Sequence, residues 1–209
     1  MQLSRRQQLL LALLQLACCV PIVSGEENPF AGTVISEIYS EEDLTPPWKD
    51  WSWNSFIKYN AVNYALPVEA QQQYIDSWQN GFGGFRVSGE ISDEEVLSSG
   101  FVRFWWRAKS IFALYQVALN AGYYAEDEGV TEPLSEKIHY LYDYIDDPQV
   151  NTWYYLKISI YELSQGTPFN LLTWINIGWP QVAHSLDDII LAFDSPPPPP
   201  LPPPPLPPP

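Results

Sequence analysis

The sequence predicts an all-β protein built as a two-sheet antiparallel β-sandwich. Three runs dense in β-branched and aromatic residues close the chain, Trp153–Leu163, Pro168–Gly178 and His184–Phe193, with turn residues between them. In the first run Leu156 and Ile158 alternate with polar positions, which is the period of a sheet with one buried face. The many short β segments and the lack of a long amphipathic helix favour two packed sheets.

The segments before these runs continue the β pattern. Asn80-Gly81 predicts a tight hairpin turn, and Ser92–Glu95 has the spacing of a capping box, which predicts one helical turn. The segment Pro133–Ile145 fits either a helix or a strand, and its tyrosines favour the strand. Further strands are predicted at Thr33–Tyr39, Phe85–Val87, Phe101–Ala108 and Leu114–Asn120.

The two ends of the chain differ in composition from the middle. Residues 1–25 have a basic start, an apolar run and small residues suited to cleavage, which predicts a secretory signal peptide. A membrane anchor is the alternative, but Gln15 and Pro21 interrupt a run that is already short for a span. Residues 196–209 contain only proline and leucine, a composition that forms an extended polyproline II rod. Residues 26–195 are therefore predicted to form one domain.

Several strand motifs resemble one known family. W-x-x-L-x-I-x-I from Trp153, F-N-L-L-T-W-I-N from Phe169 and S-L-D-D-I-I-L from Ser185 are similar to the closing strands of the jelly-roll carbohydrate-binding modules of polysaccharide-degrading enzymes. F-V-R-F-W-W-R-A from Phe101 and A-L-Y-Q-V-A-L-N from Ala113 resemble the paired middle strands of that family. The resemblance covers residues 33–194. It implies a jelly-roll, galactose-binding-like sandwich that binds a polysaccharide without catalysing a reaction.

Charge and aromatic content restrict the partners. The 209-residue chain has a net charge of -15, and removal of Arg5 and Arg6 with the signal peptide makes it -17, because -15 - 2 = -17. A surface of that sign repels nucleic acid and anionic lipid, whereas neutral polymers and divalent cations are compatible. Both cysteines, Cys18 and Cys19, fall in the predicted signal peptide, so the core alone must hold the domain. Nine tryptophans exceed what such a core needs, which predicts exposed rings.

The alternation of side chains along the strands predicts a binding surface. Sugar recognition in water needs flat apolar plates for the ring faces and fixed polar groups for the hydroxyls. One parity of Phe101–Ala108 is apolar, which leaves Arg103, Trp105 and Arg107 on the other. The alternative is that the rings pack beneath loops while the polar groups face water. The predicted ligand-binding residues are Trp51, Trp53, Arg103, Trp105, Arg107, Gln116, Asn120, Tyr155, Lys157, Trp174 and Asn176.

Carboxylates near the first and last strands are suited to calcium. Asp187 shares the parity of the core-facing Ile189 and Leu191, and a carboxylate on that parity must be paired, hydrogen-bonded or bound to a metal. In the family that the chain resembles, a structural calcium joins these strands, which implies Glu37 and Asp187 as its ligands. Solvated surface carboxylates are the alternative, because the sequence has no compact calcium loop.

The sequence predicts a secreted, extracellular polysaccharide-binding module with no nucleic-acid or membrane partner. Its tail resembles the hydroxyproline-rich spacers of plant and algal extracellular proteins, which implies attachment to a cell wall or matrix. Two alternatives stay open: a structural glycoprotein of the matrix or wall, and a jelly-roll polysaccharide lyase or glycoside hydrolase. An enzyme is disfavoured because the chain has two histidines, His139 and His184, and no nucleophile-elbow motif. No catalytic residue is predicted.

Overall fold

Two layers of antiparallel strands form the protein, and one long strand belongs to both. The computed structural model describes residues 33–40, 43–62, 73–131 and 133–194. The predicted signal peptide at 1–25 and the polyproline tail at 196–209 lie outside these residues, as do Glu41 and Glu42. No helix in this part of the chain combines the length and apolar character that a membrane span requires.

Within the described residues there are twelve strands, three short α-helices and one 3-10 helix. The strands are β1 Val34–Ser40, β2 Asp43–Leu44, β3 Lys49–Asp50, β4 Trp53–Val62, β5 Gln73–Ile91, β6 Phe101–Ala108, β7 Val117–Ala125, β8 Gly129–Thr131, β9 His139–Tyr140, β10 Tyr154–Ser159, β11 Phe169–Asn176 and β12 Val182–Ala192. The helices are α1 Glu94–Ser99, α2 Ile111–Gln116, α3 Ile160–Ser164 and the 3-10 helix Leu141–Tyr144.

The strand pairings define the two layers. β10, β6, β12, β4 and the N-terminal half of β5 form one, here called the β6 layer. β3, the C-terminal half of β5, β11, β7 and β9 form the other, the β11 layer. β1 pairs with the end of β12 and with β2, and β8 pairs with β7. These pairings are antiparallel, which confirms the predicted β-sandwich.

The long strand β5 joins the layers. Its residues Ile75–Gln79 pair with β12, whereas Gly84–Ile91 pair with β11. The prediction of a hairpin turn at Asn80-Gly81 is wrong, because β5 continues through both residues. Gly81 serves a close approach instead: a Cβ at this position would lie 2.7 Å from the carbonyl oxygen of Trp179. The residues that look like a turn in the sequence therefore mark the place where β5 passes from one layer to the other.

Large aromatic side chains fill the space between the layers. Trp174 of β11 packs against Phe85 of β5 and Phe104 of β6, and both pairs of ring centres are 5.4 Å apart. The three side chains are fully buried, as is Trp106. A buried aromatic side chain removes on the order of 150–250 Å² from water. This contact between β6 and β11 is the centre of the core.

The helix-capping signals in the sequence predicted one helix and missed another. The helical turn predicted after Ser92 is confirmed as α1, which is capped by Asp93 through hydrogen bonds from the N–H groups of Glu95 and Val96. The strand predicted at Leu114–Asn120 is wrong in its first half, which is the end of helix α2. Ser110 explains the difference, because its hydroxyl accepts the N–H of Ala113 and starts a helix in an apolar segment.

The segment Pro133–Ile145 also departs from the predicted strand. It pairs with β7 only through the two residues of β9, and the 3-10 helix follows at once. The tyrosines that favour a strand in this segment therefore lie partly on a helical turn.

A histidine is buried among polar side chains in the core. The Nε2 atom of His184 lies 2.9 Å from the amide nitrogen of Gln79, which also donates to the carbonyl oxygen of Trp174 at 2.8 Å. His184 is fully buried. Burial, with a smaller effect of Lys109, lowers the pKa of His184 to about 3. The folded protein thus holds this imidazole neutral at pH values where the unfolded chain protonates it.

This burial predicts acid-sensitive stability. The unfolded state takes up a proton near pH 6.5 and the folded state only near pH 3, so His184 reduces stability progressively as the pH falls below about 6.5. Between pH 7 and pH 5 the free energy of unfolding should fall by about 2 kcal/mol through this group alone. Urea denaturation at the two pH values measures the difference, and His184→Gln should remove it.

His139→Gln is the matched control, because it removes the other histidine and keeps His184. That variant should retain the contribution of His184 to the pH dependence. A His184→Gln protein with the full pH dependence of the wild type would contradict the assignment.

Candidate functional site

Alternation along the strands leaves two outer faces, one on each layer. The side chains that fill the core point inward, so their neighbours in sequence point away from it. In β11, the residues Leu171, Thr173 and Ile175 face outward because Leu172 and Trp174 belong to the core. Each outer face therefore presents a row of side chains from several adjacent strands.

The central row of the outer face of the β11 layer is buried: Thr173 and Ala118 are not exposed, and Asn120 and Arg86 are only 8% and 9% exposed. We call this row the floor. Thr173 lies opposite Asn120 on β7 and Arg86 on β5. Ile175 lies opposite Ala118 and Gly84 in the same way. This floor is flanked by rings on both sides. We call this surface the aromatic trough, and it consists of Trp51, Trp53, Arg86, Asn120, Tyr124 and Tyr140.

One side of the trough is an indole held against a guanidinium. Trp53 pairs with Gly84, and a Cβ at Gly84 would lie 2.5 Å from the Trp53 ring, so only glycine permits this approach. The guanidinium carbon of Arg86 lies 4.1 Å from the centre of the same ring. The Nε of Arg86 donates to the hydroxyl of Thr173 at 3.1 Å. Cation–π contact and hydrogen bonding therefore fix this ring at the edge of the floor.

A second aromatic pair closes one end of the trough. The ring centres of Trp51 and Tyr124 are 4.7 Å apart at an interplanar angle of 65°. Asn170 holds the backbone of Tyr124 by accepting its N–H at 2.8 Å and donating to its carbonyl oxygen at 3.0 Å. Trp51 is 41% exposed. Beside this pair lies a groove of about 480 Å³, also lined by Lys49, Ser88 and Glu90.

The far side of the trough is a row of tyrosines. Tyr140 lies opposite Ala118, its ring centre is 5.3 Å from that of Tyr142, and Tyr142 is 5.4 Å from Tyr115. From Gly84 to Tyr140 the floor spans three steps between strands, or about 14 Å.

Buried hydrogen bonds anchor this row. His139 precedes Tyr140 and points inward, where its Nδ1 lies 2.7 Å from the hydroxyl of Tyr144 and its Nε2 lies 3.1 Å from the hydroxyl of Ser135. Burial and the nearby Lys137 lower the pKa of His139. The alternation of β9 thus places His139 in the interior and Tyr140 on the trough.

The outer face of the β6 layer gathers another part of the predicted set. Tyr155 lies opposite Trp105, with ring centres 5.4 Å apart, and Lys157 lies opposite Arg103. On the same face, the guanidinium carbon of Arg107 lies 4.6 Å from the ring of Trp153 and 5.1 Å from that of Tyr74. We call this surface the cationic face, and it consists of Lys58, Tyr74, Asp76, Trp78, Arg103, Trp105, Arg107, Lys109, Trp153, Tyr155, Lys157 and Asp187.

The predicted ligand-binding residues therefore do not converge on one surface. Trp51, Trp53 and Asn120 lie on the trough, whereas five others lie on the cationic face: Arg103, Trp105, Arg107, Tyr155 and Lys157. Gln116 ends helix α2, where its carbonyl oxygen accepts the N–H of Ile177.

The expectation that Trp174 and Asn176 face outward is wrong. Trp174 is in the core, and Asn176 is fully buried. The Asn176 amide donates to the carbonyl oxygens of Asn80 at 3.1 Å and Pro180 at 2.8 Å. The error arose because β11 is apolar on both parities, so its periodicity does not identify the inner face.

Three trough residues are not in the predicted ligand-binding set: Arg86, Tyr124 and Tyr140. The signal for Arg86 was available, since it stands between two apolar residues, Phe85 and Val87, and must point away from the core that they enter. Tyr140 had no comparable signal, because β9 is only two residues long.

The predicted calcium ligands lie on neighbouring strands. Glu37 is on β1 and Asp187 is on β12, opposite Trp105. A register shift between Asp187 and Ile190 moves Asp187 off the core-facing parity, so that prediction of its orientation is wrong. The described residues hold no group of three His, Cys, Asp or Glu side chains suited to a metal ion. Calcium binding at Glu37 and Asp187 stays a prediction.

Comparison with known proteins identifies the architecture. The structure is similar to a family 30 carbohydrate-binding module of a cellulosomal cellulase of Clostridium thermocellum, with a TM-score of 0.53 and 10% sequence identity over 77% of this chain and 98% of that chain. A second family 30 module matches with a TM-score of 0.53 and 9% identity over 76% of this chain and 87% of that chain. No protein-family model and no curated protein matches the sequence. At this level of identity the likeness establishes the fold, a β-sandwich shared with these modules.

The different positions of the indoles predict different costs of truncation. Trp174→Ala should lower the free energy of unfolding by about 3–5 kcal/mol, because it opens a cavity between Phe85 and Phe104. Trp51→Ala should lower it by no more than about 1 kcal/mol, because the ring is partly exposed at the rim. Urea denaturation at pH 7 measures both values, and equal losses would contradict the assigned positions.

Proposed function

We propose that this chain is a secreted, non-catalytic module that binds a polysaccharide in the aromatic trough. The observation that supports the proposal most is the Trp53 plate, which forms one side of the trough with Arg86 stacked against it. The fold shared with family 30 carbohydrate-binding modules agrees with this function. Secretion rests on the composition of residues 1–25.

The trough combines the two kinds of contact that a sugar chain requires. The C–H faces of a pyranose ring are apolar and stack on indole or phenol rings, which Trp51, Trp53 and Tyr140 provide. The hydroxyl groups need donors and acceptors at fixed positions. Arg86 and Asn120 lie beside the plates with 9% and 8% of their surfaces exposed, and the exposed atoms of these two side chains would meet the hydroxyls. Fixed side chains lose little conformational entropy on binding, so the stacking energy is retained as affinity.

The charge around the trough is consistent with a neutral polymer. Glu90 and Lys49 both line the groove beside Trp51, so their charges offset each other. A groove without an excess of either sign gives a charged sugar no electrostatic advantage over a neutral one. We therefore expect neutral glucan, xylan or mannan chains as ligands of the trough.

Removal of one aromatic side chain of the trough tests the proposed polysaccharide binding. Trp53→Ala should weaken binding of a neutral hexose oligosaccharide at least about tenfold, because a rigid aromatic contact contributes about 1.4 kcal/mol or more. Calorimetric titration with cello-, xylo- and manno-oligosaccharides measures the change. The free energy of unfolding of the variant establishes that the protein remains folded.

Trp105→Ala is the matched control, since it removes an indole from the opposite face. It should leave the affinity for neutral oligosaccharides unchanged. The proposal fails if Trp53→Ala binds as the wild type does, or if Trp105→Ala alone abolishes binding.

A further inference from the structure

The cationic face holds most of the positive charge of an acidic protein. Eight Lys and Arg residues follow position 25, and five of them lie on this face: Lys58, Arg103, Arg107, Lys109 and Lys157. The net charge of the whole chain is -15. Asp76, Asp187 and Asp194 lie on or beside the same face and offset three of these five charges. Charges further apart than about 10 Å are screened at 0.1 M salt, so a bound group senses the remaining local excess more than the acidic residues elsewhere on the protein.

Two of these cations, Arg103 and Lys157, form ion pairs with the carboxylate of Asp194. The Nη2 of Arg103 lies 2.7 Å from Oδ1 of Asp194, and the Nζ of Lys157 lies 2.5 Å from the same oxygen. Arg103 also donates to the carbonyl oxygen of Phe193 at 3.1 Å, and its side chain is only 3% exposed. The hydrogen bond from Lys157, together with the charges of Lys157 and Arg103, holds the pKa of Asp194 below its usual value. The two cations therefore form a preorganised carboxylate clamp.

An aromatic pair stands next to the clamp on the same face. Tyr155 and Trp105 occupy the neighbouring pair of outward positions on β10 and β6, and Tyr155 is hydrogen-bonded to Arg103. Two residues along a strand advance about 7 Å, which matches the size of one sugar residue. The carboxylate clamp and the aromatic pair of Tyr155 and Trp105 are thus separated by about the length of one sugar residue.

Asp194 can leave the clamp without disturbing the strands. β12 ends at Ala192, and the last backbone hydrogen bond goes from Phe193 to the carbonyl oxygen of Thr33. Asp194 follows this bond and is 51% exposed. Its side chain can turn into solvent while the ladder stays intact. The carboxylate of Asp194 therefore stands where the carboxylate of a ligand fits.

We propose that the cationic face is a second carbohydrate site that takes an acidic polysaccharide, with a uronate carboxylate between Arg103 and Lys157 and the ring of the neighbouring sugar residue against Trp105 and Tyr155. Asp194 competes for the same clamp from within the chain. The site is independent of the trough, because the two surfaces lie on the outer faces of different layers.

The competition gives a test in which a substitution strengthens binding. Asp194→Asn should raise the affinity for oligogalacturonate several-fold, because the neutral amide no longer satisfies the clamp. Lys157→Gln and Trp105→Ala should each weaken it several-fold. Calorimetric titration at 20 mM and 150 mM salt measures the affinities, and the affinity should fall at the higher salt concentration.

Three controls separate this site from general electrostatics and from the trough. Asp127→Asn removes the same charge from an exposed turn and should leave the affinity unchanged. Poly-L-glutamate offers carboxylates without a sugar ring and should bind more weakly than oligogalacturonate. Trp53→Ala should lose neutral oligosaccharides and keep oligogalacturonate.

Either of two outcomes overturns the proposal. One is an equal effect of Asp194→Asn and Asp127→Asn. The other is equal binding of poly-L-glutamate and oligogalacturonate, which would identify a site for acidic protein segments. Neither outcome changes the result expected for neutral sugars at the trough.

Discussion

The contact of Trp174 with Phe85 and Phe104 is the interaction on which the remaining structure depends. It joins the β11 layer to the β6 layer and fixes which residues of β5, β6 and β11 point inward. Because side chains alternate along a strand, that choice also determines the outward residues. This contact therefore places Arg86, which follows Phe85, on an outer face. It does the same for Arg103 and Trp105, which stand on either side of Phe104.

Alternation predicted the faces well where a strand is amphipathic. In Phe101–Ala108 the apolar parity is buried as expected, since Val102, Phe104, Trp106 and Ala108 are fully buried. β11 lacks such a contrast, and the positions of Trp174 and Asn176 could not be read from it. The orientation of Asp187 could not be predicted for a different reason. A register shift changes which residues of β12 point inward, and the amino-acid composition of the strand does not reveal such a shift.

Pairing between distant strands limited the prediction of the site. Trp53 and Arg86 lie 33 positions apart in sequence, and Arg86 and Thr173 lie 87 positions apart. Their contact depends on both β4 and β11 pairing with β5, which no local signal specifies. The sequence identified suitable residue types, but only the strand order could divide them between the two outer faces.

The opposite orientation of the trough and the cationic face has a consequence for assembly. A polymer held on one layer leaves the other layer unobstructed, so a single molecule that binds at both can join a neutral chain to an acidic one. Each such bridge would add a cross-link to a polysaccharide gel, and the stiffness of the gel would then depend on protein concentration.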